Sequence, residues 1–209
     1  MAKRDVIVVG VIGAAMLAIV AYVGWASAQK RAQQRHVREL VVDTTEKLRQ
    51  VLVAKTAPDL APALDANLSA TKAPRDPKLA DAAEHYILGA REIARRRTAA
   101  ERYARQAAAS RHALAAHMAS ASQRGTGWLN QALALKKRVE DDHFNIGVEL
   151  KALDELLFSM SDAEQRLAPH VGREILVEES LFTAARKQAQ DDLRRSADDL
   201  EGARRLNLR

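Results

Sequence analysis

Residues 6–28 read VIVVGVIGAAMLAIVAYVGWASA and contain no charged side chain. As an α-helix this run would be about 35 Å long, which exceeds the roughly 30 Å hydrocarbon core of a bilayer. Two basic residues precede it, and Tyr22 and Trp25 lie near its C-terminal end, where amphipathic rings favour the headgroup region. The stretch therefore predicts a single transmembrane anchor over residues 1–28.

A cleaved signal peptide is the alternative interpretation of the same stretch. Ala26, Ser27 and Ala28 precede Gln29 and have the small-x-small pattern of a cleavage site. The apolar run is longer than the usual apolar region of a signal peptide, which has about 7 to 15 residues. A retained anchor is therefore favoured.

Small residues recur along the predicted anchor at three- and four-residue spacing, at Gly10, Ala14, Ala18 and Ala21. Such a ridge lets two membrane helices approach each other closely. These four residues are candidates for helix pairing in the membrane. The alternative is a helix that faces only lipid.

The distribution of basic residues around the anchor bears on its orientation. Lys3 and Arg4 precede the apolar run, and four basic residues follow it closely, at Lys30, Arg31, Arg35 and Arg38. This bias favours a cytoplasmic position for the rest of the chain, although long domains can be exported against it. The expected location is the bacterial inner (cytoplasmic) membrane, with a periplasmic position of the soluble part as the alternative.

The remaining residues, about 180 in number, make one domain of ordinary size. Aromatic residues are 4% of the chain, glycine is scarce, and four of the five prolines lie between Pro58 and Pro77. This composition is typical of long helices with few loops. The chain has no cysteine, which excludes disulfides, thiolate metal sites and cysteine nucleophiles.

Apolar residues with alternating four- and three-residue spacing predict the helical elements. Residues 29–55 continue the anchor as a membrane-proximal helix, and residues 56–77 form a Pro-rich linker. Residues 78–209 form a helical hairpin, which turns at Gly125 to Gly127, and a C-terminal helix. The predicted fold is all-α: one transmembrane helix continues into an elongated antiparallel bundle or coiled coil of three to four long helices.

The predicted core lies where the apolar seam is densest outside the anchor. Leu150, Leu153 and Leu157 form this stripe on the second helix of the hairpin. On the C-terminal helix, the residues predicted to face inward are Ile175, Phe182, Ala185, Ala189, Leu193 and Leu200. These residues are expected to hold the bundle together.

Two arginines occupy seam positions, Arg97 and Arg111. An unpaired guanidinium there would be costly to desolvate, so each must reach solvent or meet a carboxylate. The predicted hairpin places Arg111 opposite residues 140–142, an acidic cluster, and Arg97 opposite residues 153–155. The cluster is therefore predicted to be a structural counter-charge.

The search for catalytic or metal chemistry yields weak patterns only. Glu140 and His143 have the Glu-x-x-His spacing of di-iron bundles, which require a second such motif that the sequence lacks. Gly125 and Gly127 are not followed by the Lys-Ser/Thr of a phosphate loop. No nucleophile elbow or nucleotide fingerprint occurs. We therefore predict that the chain is not an enzyme, and we assign no catalytic, cofactor-binding or metal residue.

The strongest charge feature is an arginine cluster on the first helix of the hairpin. Its members are Arg91, Arg95, Arg96, Arg97, Arg102 and Arg105. Residues 78–124 carry nine basic and four acidic side chains, net +5, whereas residues 128–168 carry five and eight, net −3. Because the two helices of a hairpin would neutralise each other, the cluster favours structural pairing over a nucleic-acid or anionic-lipid surface.

These observations predict a structural role at a membrane. The expected function is a single-pass membrane-anchored helical scaffold or assembly subunit of an envelope complex. Its partners would be membrane lipid and either a second copy or another helical protein; no small-molecule substrate is evident. One alternative is a sensory or ligand-binding four-helix bundle that is anchored to the membrane. The other is a membrane tether for nucleic acid through the basic strip from Arg91 to Arg111. The acidic neighbouring helix disfavours nucleic acid as a partner.

Overall fold

A computed structural model of the chain describes residues 2–71, 77–120 and 127–205, with side chains from residue 21 onward. The α-helices in these ranges are α1 (Ala2–Val53), α2 (Ala61–Ala70), α3 (Pro77–Ala119), α4 (Trp128–Val171) and α5 (Glu179–Arg205). A short 3-10 turn, Arg173–Ile175, joins α4 to α5. The described residues contain no strand, which confirms the all-α prediction.

The predicted anchor falls mainly outside the part of the chain whose side chains are described. Among the described side chains, no helix combines the length and apolar character that a membrane crossing requires. Of the candidate pairing residues, Gly10, Ala14 and Ala18 lie outside that part, and Ala21 is exposed. The transmembrane helix and its pairing ridge therefore stay predictions. The backbone of α1 runs without a break from Ala2 to Val53.

Helices α3, α4 and α5 form an antiparallel three-helix core. Arg96 on α3 donates to Glu149 on α4 at 2.9 Å. Farther along the same pair, Gly89 packs so closely on the sulfur atom of Met160 that an added Cβ would clash with it. Arg186 on α5 donates to Asp154 on α4 at 3.0 Å. Successive helices thus run in opposite directions, as short connections favour.

Helix α1 lies against α3 and the start of α5 and runs parallel to both. The Thr45 and Tyr86 hydroxyl groups are 2.8 Å apart in the interior. Arg49 donates to the carbonyl oxygen of Leu176 at 3.0 Å. Over this length the molecule is a four-helix bundle, which we call the covered half.

The C-terminal end of α1 is held by two side chains of α3. The guanidinium of Arg97 donates to the carbonyl oxygens of Val51 and Ala54, and Glu101 accepts the Ala57 N–H at 2.8 Å. The bonds from Arg97 satisfy carbonyl groups that the C-terminal end of a helix leaves without intrahelical partners, and Glu101 holds the segment that follows α1. Helix α3 continues about 33 Å beyond Arg97, so the bundle changes there from four helices to three. We call this second part the open half.

The segment predicted as a linker, residues 56–77, contains helix α2. Pro62 lies in the first turn of α2, where a missing amide donor removes no helical bond. Asn67 donates to Asp43 at 2.7 Å, and Arg91 pairs with Asp65 at 2.6 Å. Helix α2 is thereby packed on α1 and α3.

Helix α4 ends at Val171, and the next residue, Gly172, has a φ of 94°, a conformation that residues other than glycine rarely adopt. The chain then turns through Arg173–Ile175 and brings Val177 back onto α4. Glu164, which is 1% exposed, accepts the Val177 N–H at 3.1 Å and pairs with Arg173 at 3.1 Å. Burial raises the pKa of Glu164 from 4.5 to about 7, against the opposing effect of Arg173.

The main core confirms the predicted centre. Leu150, Leu153 and Leu157 are all buried in one apolar cluster that α1, α3, α4 and α5 share. A separate, smaller cluster lies near the far end of the open half and contains Leu114, Val139 and Ala203. The candidate site lies between these two clusters.

Candidate functional site: a groove in the open half

A groove opens between α3 and α5 immediately beyond the end of α1. Its volume is about 300 Å³, at the lower end of the range for ligand pockets. The apolar lining comes from four helices: Leu52 of α1; Ile93, Ala100, Ala104 and Ala107 of α3; Ile146, Leu150, Leu153 and Leu157 of α4; and Ala185 and Ala189 of α5. We call it the α3–α5 groove.

The groove exists because the space between α3 and α5, which α1 occupies in the covered half, continues beyond the end of α1 with no helix to fill it. In the covered half, Leu48 and Val51 of α1 are fully buried in the space between α3 and α5. Beyond Val53 the walls carry mostly alanine, which is too short to close the gap. The large residues of α4 form the floor. Ala104 is exposed, so solvent reaches the groove.

Polar side chains close both ends of the groove. Lys55, Arg97 and Glu101 lie at the end next to α1. At the other end, Arg111 of α3 pairs with Asp199 of α5 at 2.7 Å. Arg97 and Arg111 are separated by about 21 Å along the helix, so the groove is short and bounded.

The Arg111–Asp199 pair contradicts the predicted partner of Arg111. The acidic residue at the expected height, Asp142, instead accepts a hydrogen bond from Ser110 at 2.7 Å. The hairpin spacing correctly predicted which part of α3 lies level with Asp142 of α4. Arg111 nevertheless faces α5, because the prediction considered only the two helices of the hairpin. Arg97 lines the groove together with Leu153, but its hydrogen bonds go to α1 and its ion pair goes to Glu101 on its own helix.

His143 lies in the wall at the Arg111 end of the groove and is 4% exposed. Its Nδ1 is 3.0 Å from Ser196 Oγ, and that hydroxyl donates to the His143 carbonyl oxygen at 3.4 Å. The distances fit either tautomer; we place the ring proton on Nδ1, the arrangement in which both contacts of the hydroxyl are hydrogen bonds. Nε2 is left as an acceptor, and it has no hydrogen-bond partner among the described residues.

Electrostatics keep the His143 ring neutral near pH 7. Burial lowers the pKa of the imidazole below its usual 6.5, since it disfavours the charged form. Asp199 acts to raise the pKa, Arg111 to lower it and Asp142 to raise it, with smaller effects. With the ring proton on Nδ1, the wall of the groove contains a buried lone pair without a donor, which typically costs about 1 to 3 kcal/mol.

The six candidate arginines do not share one surface. Arg91, Arg95 and Arg102 line a shallow cleft beside α2, Arg96 faces α4, Arg97 lines the groove, and Arg105 is exposed. Four of them pair with carboxylates of the chain. The pairs are Arg91–Asp65, Arg95–Glu92, Arg96–Glu149 and Arg97–Glu101. Arg102 lies over the Tyr103 ring at 5.0 Å.

The comparisons with known proteins give no further guide. No family model, curated protein or solved structure matches the chain. Within the described ranges, no three His, Cys, Asp or Glu side chains are placed to hold a metal ion, and Glu140 with His143 forms no such group.

A second apolar surface lies on the outer side of α4. Its exposed large side chains are Leu129, Leu133, Phe144, Val148 and Phe158. At 100° per residue these five positions fall within a sector about 100° wide. Leu193 and Leu200 of α5 flank Phe144 and Val148 in a shallow cavity of about 260 Å³. We call this surface the outer α4 stripe.

Sequence reasoning missed Ser196, Asp199 and the outer α4 stripe. Leu193 and Leu200 were expected to face inward, but both are only half-buried. The buried residues of α5 are Phe182 and Ala189, as predicted, together with Ser196 and Ala203. Their seven-residue spacing is the signal that could have located Ser196, but its small and polar members make it weak.

Proposed function

We propose that the chain is a single-pass membrane-anchored helical scaffold or assembly subunit of the bacterial envelope. The support for the anchor is the uncharged run at residues 6–28. Because α1 continues from that run into the bundle, the bundle would be held close to the membrane, on its cytoplasmic or periplasmic side. Membrane lipid is thus one partner.

The observation that carries the scaffold proposal is the outer α4 stripe. Phe144 is 65% exposed and Phe158 is 68% exposed. Lys137, Lys151 and Glu155 are exposed in the same sector, so the stripe is a row of separate apolar side chains along one helix face, the kind of face that can pack on a second helix, and not one continuous patch. Two copies anchored in one bilayer have α4 running in the same direction. A parallel α4 pair would therefore bring each stripe residue next to its counterpart.

The test uses the absence of native cysteine. We expect Val148→Cys to form a disulfide-linked dimer when membranes that contain the full chain are oxidised, because a parallel pair places the two thiols together. Ala109→Cys, on an exposed face of α3, is the matched control and should stay monomeric. The membranes are first washed with alkaline carbonate. Loss of the chain into the wash would contradict the anchor, and equal cross-linking of both variants would contradict the paired stripe.

A ligand-binding or sensory bundle hung from the membrane is the second candidate function. The observation that favours it is the α3–α5 groove, where an apolar cavity meets one unsatisfied polar atom. A nucleic-acid tether has less support, because four of the six candidate arginines pair with carboxylates of the chain.

A further inference from the structure

The α3–α5 groove combines two independent features of a binding site. One is an apolar space where a fourth helix is missing, and the other is the buried Nε2 of His143. Buried polar atoms without partners are rare in native proteins, and each calls for a bound group or a functional reason. Ser196 fixes the ring, so the lone pair has a defined direction.

We propose that the groove binds a small neutral amphiphile whose hydroxyl or N–H group donates to His143 Nε2 and whose apolar body lies on Ala104, Leu150 and Leu153. The proposal deepens the ligand-binding candidate above and rests on it. It is independent of the outer α4 stripe, so the two can fail separately.

The polar atoms at the His143 end of the groove select against charged ligands; Lys55 lies at the opposite end, and Asp192 pairs with Arg195. An anion would meet the Nε2 lone pair, and the guanidinium of Arg111 already pairs with Asp199. Arg97 is likewise engaged by the carbonyl oxygens of α1. A cation would have to replace Arg111 at Asp199 and would lie over an apolar floor. A neutral hydrogen-bond donor is the group that satisfies Nε2 without breaking an existing pair.

The bounded shape favours a small molecule over a partner helix. A helix laid along the groove would meet the end of α1 on one side and the Arg111–Asp199 pair on the other. It would have to break that pair or leave the groove after about 21 Å, roughly four turns. A compact amphiphile fits between these ends without breaking the Arg111–Asp199 pair; because Nε2 is buried, the side chains around it must shift for the donor to reach it.

The experiment compares two probes with the same apolar body. 4-Propylphenol has a hydroxyl donor, and its methyl ether, 4-propylanisole, has none. The full chain, reconstituted in lipid nanodiscs with ¹⁵N-labelled histidine, is titrated with each probe, and the Nε2 resonance of His143 is followed. This readout is local, so partition of a probe into lipid does not imitate binding. His143→Phe identifies the resonance among the six histidines.

We expect 4-propylphenol to shift the Nε2 resonance as a hydrogen-bonded acceptor and to bind about tenfold more tightly than the ether, as one added hydrogen bond to a buried acceptor implies. Ala104→Phe, which fills the groove, should abolish the shift. Ala109→Phe, on another face of α3, should leave it unchanged.

Any one of three results would overturn the proposal. The first is the absence of an Nε2 shift with both probes, the second is equal affinity for the phenol and the ether, and the third is an unchanged response in Ala104→Phe. The last would place the probe in the shallow cavity beside Phe144, which His143 also lines. Because the native chain supplies the main readout, the conclusion does not depend on whether His143→Phe folds.

Discussion

The covered and open halves of the bundle use the same three helices but fill the space between α3 and α5 differently. In the covered half, Val41, Leu48 and Val51 of α1 occupy that space and are fully buried. In the open half the space is the α3–α5 groove, and Arg111 and Asp199 bridge it at one point. An alanine-rich seam can pack closely on one neighbour, yet it leaves a gap wherever a second neighbour is absent.

The difference implies uneven local stability. A core residue in the covered half lies at the centre of four helices, whereas a residue that lines the groove has neighbouring side chains on fewer sides. Regions with fewer buried apolar contacts open at lower free energy than the rest of a molecule. Substitutions in the two halves should therefore have different consequences, and the following predictions are arranged from the largest expected effect to the smallest.

Truncation of a large core residue should cost most in the covered half. We expect Leu48→Ala to reduce the free energy of unfolding by about 4 kcal/mol and Leu153→Ala by about 2 kcal/mol, within the usual range of 2 to 5. Leu48 is enclosed on all sides, whereas the space left at Leu153 joins the groove and admits solvent. Chemical denaturation of both variants measures the difference. A larger loss at Leu153 would show that the groove is closed in solution.

Glu164 should make the covered half sensitive to pH. Its pKa is about 7 in the folded chain against the usual 4.5, so the folded state binds the extra proton between these values. The free energy of unfolding should therefore fall by roughly 3 kcal/mol as the pH rises from about 4.5 to 7. Glu164→Gln should remove this slope. Denaturation curves at a series of pH values measure this. If the free energy of unfolding of the two proteins has the same dependence on pH, the Glu164 carboxyl is ionised in the folded state throughout.

Enlarging one alanine in each half should have opposite effects. Ala94→Leu in the covered half should destabilise the fold by about 1 to 3 kcal/mol, because Ala94 is fully buried and has no room for a larger side chain. Ala104→Leu should stabilise it by about 0.5 to 1 kcal/mol, because the new side chain fills the groove. Thermal unfolding distinguishes the two signs, and destabilisation by both would mean that the groove has no spare volume.

Much of the fold could be predicted from local patterns. The all-α class and the Leu150–Leu157 core follow from the spacing of apolar residues, because a helix of 3.6 residues per turn places such residues on one face. The anchor at residues 6–28 is likewise predicted from composition alone. Most of its side chains lie outside the described part of the chain, so the anchor stays a prediction.

The tertiary structure alone decided the site. Periodicity shows which face of a helix is buried, but in a bundle that face meets two or three neighbours, and spacing does not say which. Arg111 therefore met Asp199 of α5 and not residues 140–142 of α4. The groove depends on where α1 stops relative to α3, and that stagger is set by contacts distant in sequence, such as Arg97 with Val51 and Tyr86 with Thr45. A local pattern carries no information about such contacts, because the free energy that fixes them is gained only when the helices are assembled.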